Sequence, residues 1–177
     1  MKILKVILLV GLLSVGNAVY GQSGGSGVAG FLSQFSQYRI TSSTQSAADR
    51  CSDLNVEGMT RITRHSFKSK QPAPGERNTY LTFRLSVYEY SSVESADSAF
   101  NAMRSGIAVK QSELPDKSPV YVLQDGQKIY WLSGACLYSR TNWDAIEAKL
   151  QNAVLGQTPP ASDKVVKILC GGQVAGS

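Results

Sequence analysis

Five cations crowd one window of the chain. Arg61, Arg64, Lys68, Lys70 and Arg77 lie between Met59 and Arg77, where Glu76 is the single acid. The chemistry such a cluster offers is attraction for anions, whether envelope sugars, phospholipid headgroups or an acidic partner protein. The same side chains would also serve a solvated strand edge, where Lys and Arg discourage pairing with another chain. Close by, Tyr80, Tyr88 and Tyr90 alternate with Arg84. Aromatic and Arg residues suit a contact surface because they combine area with a polar tip, but helices covering the face would use them as readily.

Other reactive residue types form no recognisable constellation. His65 is the only histidine, and it would have to partner Cys51, Cys136 or Cys170 in any thiol mechanism. No local signature joins them, so His65 reads as a surface histidine on a strand. Gly21-Gln22-Ser23-Gly24-Gly25 has the G-x-S-x-G spelling of a nucleophile elbow but lacks the strand before and the helix after that strain the turn. Among the acids, Glu94 suits a helix start, Asp125 a turn and Asp144 the first turn of a helix. Three thiols without C-x-x-C and a single histidine fit no zinc pattern. Calcium, phosphate-loop and dinucleotide spacings are missing as well. No catalytic residue, metal or cofactor is therefore assigned.

The first residues read as an address. Lys2 and Lys5 precede an apolar run from Val6 to Val15, followed by the small residues Gly16 and Ala18, as in a cleaved export leader. That run is about half the length a membrane-spanning helix needs, so no stable transmembrane anchor is expected. Loss of residues 1–21 would lower the formal charge from +5 to +3, a balance that does not call for nucleic acid. In an oxidising compartment, two of Cys51, Cys136 and Cys170 are expected to bridge. Cys136 with Cys170 closes the shortest loop, but spacing alone leaves the pairing open.

The rest of the chain supplies the elements that would carry these residues. Its 42% hydrophobic and 18% charged composition over 177 residues suits one compact domain. Residues 22–50 begin Gly/Ser-rich and read as a flexible segment, although Phe31, Leu32, Phe35 and Tyr38 recur at near-helical spacing. A strand over Leu54–Phe67 and the break Gln71–Gly75 imply a hairpin. Leu81, Phe83, Leu85 and Val87 then mark one face of a strand. Ser91 to Glu94 reads as a capping box for a helix stopped by Gly106. Asp125-Gly126 signals a hairpin joining Val120–Leu123 to Ile129–Leu137, with Val122 facing Ile129, Tyr121 facing Tyr130 and both faces largely apolar. Trp143, Ile146, Leu150 and Val154 predict a second helix capped by Thr141 or Asn142 and ended by Gly156, before a strand over Val165–Leu169.

The expected fold is α+β, a mostly antiparallel sheet with two helices packed on one face in the order β-β-α-β-β-α-β. Residues 1–21 would be the leader, 22–50 the flexible segment, 51–170 the single domain and 171–177 a tail. The function class that fits is an exported, non-enzymatic binding or interaction domain, secreted or periplasmic, using the basic hairpin against an anionic envelope component or protein. A small secreted enzyme or inhibitor and a structural envelope accessory are the alternatives.

Overall fold

A computed structural model describes residues 26–46, 54, 57–110, 118–136 and 140–170. The expected leader, Cys51 and the tail 171–177 lie outside these residues. Along the chain run α1 (Gly27–Ser33), β1 (Tyr38–Ser46), β2 (Met59–Pro72), β3 (Tyr80–Tyr90), α2 (Val93–Lys110), β4 (Val120–Asp125), β5 (Lys128–Gly134), α3 (Arg140–Leu155), a 3-10 turn (Ser162–Lys164) and β6 (Val165–Ile168). The strands form one sheet in the order β1-β2-β3-β5-β4-β6, and every neighbouring pair is antiparallel. The expected class and the order from β2 to β6 are thus present, with one further helix and one further strand in front.

Alternation along the strands divides the sheet into two faces. Phe67, Phe83, Leu85, Tyr121, Leu123, Tyr130 and Leu132 face a layer made by α1 and α3, which contribute Phe31, Phe35, Trp143, Ile146 and Leu150. Tyr88, Val122, Ile129 and Val166 face α2, through Ala96, Ala99, Phe100 and Met103. The helices therefore lie on both faces rather than on one. The reason is the β4–β5 hairpin, whose two apolar faces each need a covering layer to leave water.

Residues 27–46 fold for the same reason. Phe31 and Phe35 are buried in an aromatic cluster with Phe67 and Phe83, and the last two stack with centroids 4.0 Å apart. Burial of a phenylalanine contributes about 1.5–3 kcal/mol, which outweighs the local preference of a Ser/Thr-rich stretch for open structure. The expectation of a flexible segment over 22–50 thus gives way to α1 and β1 in its central part.

Local boundaries shift where turn chemistry decides. β2 starts at Met59, after Gly58 takes the left-handed φ of 73°, and an irregularity between Lys68 and Pro72 lets it run past the expected break. Ser92, not Ser91, caps α2, since its hydroxyl accepts the Ser95 N–H at 3.1 Å. In the β4–β5 hairpin Asp125 pairs with Lys128, so the turn is Gly126-Gln127 and Val122 faces Trp131 rather than Ile129. Of the two turn residues Gly126 alone has a positive φ, and it is the first central residue, where a type II′ turn needs glycine. The slip is by two positions of pairing, so every side chain keeps its expected face.

Cys136 and Cys170 form a disulfide with Cα atoms 5.8 Å apart. Val120 pairs with both Ser133 and Ile168, so β5 and β6 leave the sheet beside the start of β4 and the cysteines meet two residues beyond each.

Candidate functional site

Among the described residues, the face that carries α2 is covered over part of its extent. Of these residues, α2 starts beside Tyr90 and lies over Tyr88, Ile129, Val122 and Val166, with Leu54 and with Met59 and Ile62 of β2 buried in the same cluster, while Arg39 on β1, Lys68 on β2 and Thr82 and Arg84 on β3 are exposed. A groove of about 1380 Å³ remains there, continuous with a smaller one of about 450 Å³ through the shared residues Ser66, Arg84, Trp131 and Ser133.

Strand register places the groove's charges. Arg39 on β1 lies directly across from Lys68 on β2, Lys68 from Thr82 on β3, Ser66 from Arg84, and Arg64 from Ser86. Arg39, Lys68 and Arg84 are exposed and Arg64 is half-buried. Hydroxyls of Thr41, Ser43, Ser66, Thr82, Ser86 and Ser133 lie between them along the walls and floor. No carboxylate is among the described residues lining either part.

The contacts that Arg64 and Lys68 make are neutral. Arg64 Nη1 donates to Gln45 Oε1 at 2.8 Å, and Lys68 Nζ sits 4.6 Å from the centre of the Tyr80 ring. Ion pairs among the described residues are formed elsewhere, by Arg61 and Lys128 with Glu89, Lys164 with Asp97, and Lys167 with Asp144 and Glu147. Like charges placed across a strand pair destabilise it, so this grid is held at a cost by the surrounding fold. Chemically it can neutralise a negative group and satisfy its oxygens with hydroxyl and guanidinium donors.

The basic window found in the sequence is split by the sheet. Arg64 and Lys68 project into the groove. Arg61 instead forms its ion pair with Glu89, its Nε donating to Oε2 at 2.8 Å. Lys70 Nζ donates to the Ser36 carbonyl at 2.7 Å, and Arg77 is exposed in the β2–β3 loop. Arg39 and Trp131 complete the groove without having been singled out as ligand contacts. The tyrosine face is divided too. Tyr88 and Tyr90 are buried under α2, Tyr80 lies beneath the Lys68 ammonium, and Arg84 stays open.

His65 is buried rather than on the surface. It faces away from the groove, on the side of Phe67 and Leu85, and shares a 2.7 Å hydrogen bond between Nδ1 and Ser42 Oγ. Burial holds its imidazole below the ordinary value. A nucleophile–base pair needs a third group to orient the base and a cavity to admit substrate; neither Ser42 nor His65 lines the groove. Lys167 bridges Asp144 and the buried Glu147 at 2.7 and 2.5 Å, tying β6 to α3. Burial pushes the Glu147 carboxyl upward against the downward pull of Lys167. Among the described residues no three His, Cys, Asp or Glu side chains converge as metal ligands.

No family model matches this chain, and no curated protein or solved structure matches it.

Proposed function

We propose that the protein is an exported, non-enzymatic binding domain that captures an anionic ligand on the open basic half of its sheet. The observation that carries this reading is the grid of Arg39, Arg64, Lys68 and Arg84, lining one continuous groove without a carboxylate among its described residues. Four like charges grouped without a carboxylate among the described lining residues repel one another, and an anionic ligand would relieve that repulsion. Export is supported by the basic-then-apolar start of the chain and by the Cys136–Cys170 disulfide, a bond that persists in oxidising compartments. No helix of the described residues is long and apolar enough to cross a membrane.

Retention on an anionic matrix tests the reading. The variant Arg39→Ala/Arg64→Ala/Lys68→Ala/Arg84→Ala should elute at much lower salt than the parent. Arg61→Ala/Lys70→Ala/Arg77→Ala, which removes cations outside the groove, should elute close to the parent. Equal losses from both sets would defeat the assignment to the groove.

A further inference from the structure

Two register rows run from β1 to β6 across the face that carries α2, where Val122 and Val166 lie beneath the helix and Val120 and Trp131 are half-buried. One reads Thr41, Ser66, Arg84, Ser133, Val120 and Ile168; the other reads Ser43, Arg64, Ser86, Trp131, Val122 and Val166. In both, polarity changes sides at β5. The β1-β2-β3 half holds hydroxyls and cations, and the β4–β6 half is apolar. Met103 and Ala102 of α2 wall the groove on its apolar side, beside Val120 and Ile168. From Arg84 on β3 to Ile168 on β6 is three strand spacings, about 14 Å.

Building on the anion-binding reading, we infer that the ligand is an anionic amphiphile. Its charged head meets the Arg39, Lys68 and Arg84 cluster, and its alkyl chain lies over Trp131 toward Met103, Val120 and Ile168. A small polar anion would leave the half-buried Val120 and Trp131 in contact with water, and a neutral lipid would leave the cations without counter-charge. Only a molecule carrying both parts complements both halves. The lipid is taken singly, as a monomer lengthwise in the groove, rather than as part of a bilayer surface.

Calorimetric titration with ethyl phosphate, octyl phosphate below its micelle concentration, neutral octyl glucoside and vesicles of anionic phospholipid tests this. Octyl phosphate should bind the parent protein at least about tenfold more tightly than ethyl phosphate, since each buried methylene contributes up to about 0.8 kcal/mol. Octyl glucoside should bind far more weakly. Val120→Thr, a change of nearly equal shape, should reduce the advantage of the octyl chain and leave ethyl phosphate unaffected. Equal affinity for the two phosphates would overturn the amphiphile while leaving anion capture standing. Binding to vesicles without binding of monomeric octyl phosphate would also overturn it. If no anion binds, and the four-cation variant is retained on the matrix like the parent, the anion-binding reading itself fails.

Discussion

Arg84 should be a residue whose loss makes the unliganded domain more stable. Across from it on β2 is Ser66, whose same-face neighbours two positions away are Arg64 and Lys68. Diagonal positions of this kind lie about 7–8 Å apart. Two unit charges at 8 Å in water repel by about 0.5 kcal/mol, so the two neighbours together cost about 1 kcal/mol at low ionic strength. Physiological salt, with a screening length of about 8 Å, reduces that to about 0.4 kcal/mol. Arg84→Gln removes the repulsion and Arg84→Glu reverses it, so Glu should be the more stable of the two by about 1 kcal/mol at low salt. Comparing Gln with Glu cancels most of the lost packing of the arginine stem, leaving charge as the main difference. Urea unfolding midpoints at low and high salt read the effect. A Glu variant no more stable than Gln at low salt, or a gap that salt leaves unchanged, would refute the repulsion argument.

Further expectations concern the scaffold. Breaking the Cys136–Cys170 bridge by Cys136→Ser should cost about 4 kcal/mol by loop-closure entropy over a separation of 34 residues, read by urea unfolding. Phe100→Ala should cost about 3–5 kcal/mol, because the ring, carried by α2 into its contact with the sheet, is 1% exposed. Gly134→Ala would place a methyl against the Trp143 ring and should lower the unfolding midpoint by an amount worth about 1–3 kcal/mol. His65 sets a pH slope. Its folded value is lowered, so between that value and the ordinary 6.5 the unfolded chain binds more protons and stability falls as pH falls. His65→Gln should flatten that slope in urea midpoints taken across the window; an unchanged slope would assign it to other groups.

Strands and helices with an apolar stripe of their own were legible in the sequence, as Phe83, Leu85 and Val87 on β3 and Trp143, Ile146 and Leu150 on α3 show. β1 was not. Outside Tyr38 and Ile40 it is Ser, Thr, Gln and Arg, and its place in the sheet comes from pairing with β2 rather than from a pattern of its own. The distribution of the helices depended on tertiary contacts. The doubly apolar β4–β5 hairpin called for layers on both sides, but nothing local states which helix takes which face. The site divides similarly. Spacing alone places Arg64 and Lys68 on one side of β2 and Arg61 on the other. Adding Arg39 and Arg84 requires the register of three strands, which spacing within any one of them does not contain.

The central claim is that anions bind at the open basic half of the sheet. Its most direct measurement is a backbone amide NMR titration of the 15N-labelled protein with octyl phosphate below its micelle concentration, at low salt. Saturable shift changes should concentrate at Arg39, Arg64, Lys68, Arg84 and their strand neighbours and fade as salt is added. Changes centred instead on Arg61, Arg77 and Lys128, or no saturable change anywhere, would contradict it.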